Sequence, residues 1–134
     1  MKLCNALAIS MLEEGQVEVV PISLDTARNN WRYIQDRLAS SAVGHADTAA
    51  LFAALLGEPV PVHRQSIRLL GKPDYLMVGQ YSGPRLPEGA TTLPDGAEIR
   101  WYIVRRIYPQ CRECGADMIP HRAGQILCRT CASD

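Results

Sequence analysis

The sequence predicts an α+β protein: a mixed sheet of roughly five strands with flanking helices, followed by a small C-terminal ribbon. Three observations carry that prediction. Apolar, β-branched runs bounded by glycine and proline recur along the chain. Two stretches place apolar residues at steps of three and four. Four of the five cysteines fall in the last 24 residues. A length of 134 residues suits one domain with an appendage. The boundary falls at Pro109, giving a body over 1–108 and a ribbon over 109–134.

Residues 2–9 are apolar and loosely alternating, as in a strand. Glu13-Glu14-Gly15 reads as a turn into a second strand carrying Val17, Val19 and Ile22, and the two strands read as a hairpin or close neighbours. Ser23 is a good helix N-cap. Leu24, Ala27, Trp31, Ile34 and Leu38 then line one face of a helix over 24–39. After a connector, a second helix spans 46–56, with Leu51, Phe52, Leu55 and Leu56 apolar. Gly57 stops it, and Pro59 and Pro61 forbid continuation. Residues 62–70 and 74–82 read as strands around Gly71-Lys72-Pro73-Asp74, and 99–108 as a strong strand ended by Pro109. Between the last two strands lies a long loop, and such loops are often functional.

Fourteen basic and 14 acidic residues leave no formal net charge. This argues against coating long nucleic acid or a membrane by bulk charge, yet permits a small anionic ligand at a local site. The basic set is lopsided, 12 arginines against Lys2 and Lys72. Arginine makes planar, bidentate contacts to phosphate or carboxylate, although a GC-rich genome would give the same bias. No apolar run approaches the ~20 residues of a membrane helix, and the first residues lack a signal-peptide pattern. A cytoplasmic protein with reduced cysteines is expected.

Those cysteines are patterned. Cys111-x2-Cys114, a spacer of 13 residues, and Cys128-x2-Cys131 suit two tight turns whose four sulfurs surround one zinc ion. Met118-Ile119 and Gln125-Ile126-Leu127 are candidate hairpin arms, with Gly124 at the turn. Gly115 permits the positive φ of a knuckle. Four thiolates leave no open coordination position, which favours a structural zinc that supplies folding energy over a catalytic one. His121 is a weaker substitute ligand, and Cys4, in an apolar stretch, is a core thiol.

Phosphate loops and nucleophile elbows are absent from the sequence. His45 opens the second helix with Thr48 three residues on, and a helix start with free N–H groups suits an anion. Its bland alternative is an exposed or capping histidine. Arg85 and Glu88 sit in the proline-stiffened loop, and Arg64 follows Pro61-Val62-His63; solvated surface charge is the plain alternative for each. Arg100, Arg105, Arg106 and Arg112 form at most a modest patch on a solvated face.

Four segments read together say more: Asn5-Ala6-Leu7-Ala8-Ile9-Ser10-Met11-Leu12, Ala42-Val43-Gly44-His45-Ala46-Asp47-Thr48, Val62-His63-Arg64 and Arg85-Leu86-Pro87-Glu88-Gly89. The ordered set N-A-x-x-x-x-M-L, G-H-x-x-T and R-L-x-E-G resembles the viral anti-CRISPR ring nucleases, over about residues 2–107. The resemblance implies a homodimer that binds cyclic tetra-adenylate, the second messenger of type III CRISPR defence. It implies cleavage without metal to linear di-adenylate with a 2′,3′-cyclic phosphate. His45, Arg85 and Glu88 would be the catalytic group, with Asn5, Ala8, Ser10, Gly44, Thr48 and Arg64 lining the ligand. Some relatives carry serine where this chain has Ala8, and the ribbon lies outside the minimal family domain. Two other classes compete: a non-catalytic cyclic-nucleotide sponge, and a zinc-ribbon adaptor whose body only dimerises. Expected partners are therefore cyclic tetra-adenylate and a second copy, in the host cytoplasm if a virus encodes the chain, with no membrane and no long nucleic acid.

Overall fold

The computed structural model describes residues 1–12, 15–69, 75–107, 110–118 and 127–132. Four strands form one mixed sheet in the order β1-β3-β4-β2, with β1 (Lys2–Cys4), β2 (Gln16–Ile22), β3 (Tyr75–Ser82) and β4 (Glu98–Ile107). β1 runs parallel to β3, and the β3–β4 and β4–β2 pairs are antiparallel. A parallel pair cannot be closed by a tight turn, so the chain crosses between β1 and β3 through its helices. These are α1 (Leu24–Arg32), the single-turn α2 (Arg37–Ser40) and α3 (Ala46–Leu56). A last short helix, α4 (Arg129–Ala132), carries Cys131.

Each face of the sheet carries a buried apolar cluster. On one, α1 and α3 contribute Ala27, Trp31, Ala49, Phe52 and Leu56 to a cluster with Leu3, Met77 and Trp101. Phe52 and Trp101 meet at 5.0 Å between ring centroids, directly over Gly79. Trp31 donates its indole N–H to the Pro59 carbonyl at 2.9 Å, which satisfies the polar atom of an otherwise apolar ring. On the other face, Cys4, Ile67, Leu69, Leu76, Val78 and Val104 are covered by Leu7, Met11 and Leu12.

Local signals explain the helix ends. Ser23 caps α1 by accepting the Thr26 N–H at 3.1 Å. Gly57 ends α3 in the left-handed region at φ 75°. The expected helix over 24–39 is broken, however. Asp36 accepts the Ala39 N–H at 3.1 Å and so starts α2 afresh; a mid-run aspartate competes for backbone donors in this way. Leu38, expected on one helical face with Ala27 and Trp31, is 56% exposed.

Three strand expectations also change. β1 stops at Cys4, and Ile9–Met11 form a 3₁₀ turn instead of extending it, because Leu7, Met11 and Leu12 are drawn over the second cluster. β1 and β2 are not neighbours but occupy opposite edges of the sheet. Residues 62–69 form no strand of the sheet, Leu69 making only an isolated parallel bridge to Leu12, so the described sheet has four strands, not about five. The free edge of β1 is already taken: Ala42 N–H bonds to the Leu3 carbonyl at 2.8 Å, and Leu3 bridges Ser41 in parallel. The 71–74 turn lies outside the described residues.

Candidate functional site

The tract entering α3 is held against residues 61–64. Ser41, fully buried, donates its hydroxyl to the Pro61 carbonyl at 2.6 Å and accepts the Val43 N–H at 3.3 Å. Val43 is fully buried, and its carbonyl accepts the His63 N–H at 2.9 Å. The next residue, Gly44, lies against Arg64. A Cβ on Gly44 would stand 3.1 Å from the Arg64 Nε and 3.3 Å from its Cβ. The glycine therefore lets the arginine stem cross the backbone just before the helix begins.

His45 is the N-cap of α3, and its Nδ1 accepts the Asp47 N–H at 3.2 Å. An accepting Nδ1 places the ring proton of the neutral histidine on Nε2. The His45 side chain is 69% exposed, so Nε2 is open to a ligand. Asp47 lies in the first turn of the helix, with Oδ2 4.0 Å from the His45 Nδ1.

Facing this helix start is the long loop. Residues 83–97 hold no helix or strand. Pro87 to Ala90 form a tight turn closed by the Ala90 N–H on the Pro87 carbonyl at 3.2 Å, with Gly89 at φ 74°. A turn with a positive φ at its third residue is type II and favours glycine there. The Gly89 N–H is outside that turn bond and donates to Asp47 Oδ1 at 3.1 Å. At the near end of the loop, the Tyr81 hydroxyl bonds the Pro84 carbonyl.

Together these elements enclose an open cleft of about 930 Å³ lined by His45, Ala46, Asp47, Thr48, Arg85, Leu86, Pro87 and Glu88. Of the residues singled out from sequence, His45, Thr48, Arg85 and Glu88 meet there, with Gly44 next to His45 in the chain and Arg64 packed against Gly44. Asn5, Ala8 and Ser10 are exposed on the segment after β1 and are not among the lining residues of the cleft. Asp47 was missed by sequence reasoning, since an acid in a first helical turn reads as a dipole partner.

In this arrangement the helix start brings free N–H groups and a positive end, the loop an arginine, and the histidine a proton donor. Such a set can bind a phosphodiester and protonate a leaving oxygen.

The cysteines form a second centre. The four sulfurs of Cys111, Cys114, Cys128 and Cys131 all lie within 4.8 Å of one another. Cys114 and Cys128 are 3.7 Å apart, against the ~3.8 Å edge of a tetrahedron with zinc–sulfur bonds of about 2.3 Å. Gly115 takes φ 73°, as a knuckle requires. The Cys128 N–H donates to the Cys111 sulfur at 3.2 Å. Backbone hydrogen bonds from Cys114 and then Cys128 hold the Cys111 thiol down at about 6, while hydrogen bonds with the Cys128 and then the Cys111 sulfur push the Cys131 thiol up. The donor set thus fits a single ion. Most of the expected hairpin arms, Gly124 and His121 lie outside the described residues. Cys4 is buried, and burial pushes its thiol up to about 11.

Two of the four arginines of the expected patch carry an acidic partner. Arg100 pairs with Glu98 at 3.1 Å and Arg105 with Glu18 at 3.2 Å.

Residues 1–101 match the STIV B116-like family. The chain belongs to that family. The fold agrees with the solved structure of B116 of Sulfolobus turreted icosahedral virus. The two share a TM-score of 0.63 and 24% identity, covering 78% of this chain and 97% of that one. No curated protein matches this chain. The STIV B116-like match takes in the histidine and the whole loop and leaves out all four ribbon cysteines. No described helix is long and apolar enough to cross a membrane.

Proposed function

We propose that this STIV B116-like protein is a metal-independent ring nuclease that cleaves cyclic tetra-adenylate and so switches off type III CRISPR signalling. The observation that supports this most is the cleft in which His45, at the start of α3, faces Arg85 and Glu88 of the loop. The ordered motifs that resemble the ring nucleases put their histidine, arginine and glutamate on those positions.

In the proposed reaction a ribose 2′-hydroxyl attacks its neighbouring phosphorus, and its proton passes to solvent. The bond to the 5′-oxygen breaks, leaving a 2′,3′-cyclic phosphate. His45 protonates the departing 5′-oxygen from Nε2, the nitrogen left free by its cap hydrogen bond. Arg85 holds the phosphate and stabilises the added charge of the transition state. Glu88 orients Arg85 or a ribose hydroxyl. Because the nucleophile belongs to the substrate, no metal-bound water is required. A second copy of the chain would bring a second set of the same groups to a two-fold ligand. The four cysteines would hold a structural zinc ion that braces the ribbon.

The test is labelled cyclic tetra-adenylate incubated in excess chelator with the wild type and with His45→Ala. Wild type should release di-adenylate with a cyclic phosphate, and the variant should be roughly 10²–10⁴-fold slower. Tight binding without turnover would make the protein a sponge. No binding at all would leave only an adaptor role for the ribbon. Dependence on an added divalent ion would overturn the mechanism.

A further inference from the structure

We propose that Asp47 is a positioning residue that latches the Pro87–Ala90 turn, and with it the loop carrying Arg85 and Glu88, onto the start of α3. The latch is the hydrogen bond from the Gly89 N–H to Asp47 Oδ1, at 3.1 Å. Its effect on turnover rests on the ring nuclease reading; its effect on the loop does not.

The argument begins with the loop. Residues 83–97 carry no regular structure, so no ladder sets where Arg85 and Glu88 stand. Two hydrogen bonds to side chains bracket them: Tyr81 to the Pro84 carbonyl on one side, and Asp47 to the Gly89 N–H on the other. The type II turn leaves the Gly89 N–H pointing away from its own hydrogen bond, free for an outside acceptor. Asp47 supplies it from the helix that carries His45, and its half-buried carboxylate is 31% exposed. One side chain thereby ties the histidine's helix and the arginine's loop into a common frame. Without it, the loop end beyond Arg85 has to be positioned anew for each catalytic cycle, an ordering cost that a preformed contact removes.

A plain alternative is that Asp47 serves only as a negative charge at a helix start. The two roles separate on substitution. Asp47→Asn removes the charge but keeps an oxygen that accepts the Gly89 N–H; Asp47→Ala removes both.

The experiment measures amide hydrogen exchange at Gly89 and at the α3 amides in the free wild-type protein and both variants, alongside turnover of cyclic tetra-adenylate. A latch predicts Gly89 protected about tenfold or more in the wild type and in Asp47→Asn, and unprotected in Asp47→Ala with the α3 amides unchanged. It predicts kcat/KM roughly 10- to 100-fold lower in Asp47→Ala, and mostly restored in Asp47→Asn. Equal losses in the two variants, or Gly89 exchange that ignores Asp47→Ala, would overturn the latch. If wild type fails to turn over the ring, the ring nuclease reading falls and the exchange result still decides the latch.

Discussion

Gly79→Ala should destabilise the body by about 1–3 kcal/mol, the usual cost of adding a methyl group to a filled core. The magnitude follows from the packing. A Cβ at Gly79 would stand 2.7 Å from Trp101 Cζ3, 2.8 Å from Phe52 Cζ and 2.9 Å from Trp101 Cη2. Carbon atoms attract at roughly 3.5–4.0 Å, so both rings must retreat. Neither has room, because Phe52 is 1% and Trp101 4% exposed and they pack on each other. Thermal unfolding followed by circular dichroism should show the midpoint lowered by roughly 5–10 °C for a chain of this size. A double-mutant cycle with Phe52→Leu locates the cause. The smaller side chain costs stability by itself but relieves the clash, so the two changes should be less damaging together than their sum. A Gly79→Ala midpoint within a degree of wild type, or strict additivity with Phe52→Leu, would refute the packing argument.

Other outcomes follow from the thiols. Cys4 has its thiol pushed by burial from an ordinary 9.0 to about 11. The neutral form is thus favoured in the folded state, and the stabilisation is full below pH 9 and lost as pH rises from about 9 through 11. Urea titrations across that range should show a decline of order 2 kcal/mol that Cys4→Ala flattens. If the four sulfurs hold zinc, elemental analysis of the wild type should find about one equivalent, and replacing Cys114 and Cys128 by serine should abolish it. The unfolding midpoint of the body should barely move, since the STIV B116-like match ends at residue 101. Retained zinc in that double variant would argue against a four-sulfur site.

Much of the site was legible because its signals are local. Ser23, His45 and Gly57 end or begin helices by the conformations and hydrogen bonds of single residues, and α3 falls on 46–56 as its pattern predicts. The C-x2-C pairs are also local, and they needed only to face each other. Asp36 was legible too, as a capping residue inside an apolar stripe, but the periodicity of Leu24 to Leu38 masked it. The strand over 62–70 failed for a different reason. Apolar alternation reports burial, and Ile67 and Leu69 are indeed buried, but it does not say whether a sheet edge is free to pair.

By itself, then, the sequence determined the composition of the two centres: a histidine at a helix start, an arginine and a glutamate in a proline-bound loop, and four thiols in two pairs. Only the tertiary structure decided how they meet. The sheet order put β1 and β2 at opposite edges. Ser41 and Ala42 took the place beside β1, which aims the chain at His45. Gly89 then found its partner in Asp47, 42 residues away. Each of these is a pairing between distant segments, set by which backbone groups are left unsatisfied once the core is buried, and neither periodicity nor capping encodes it.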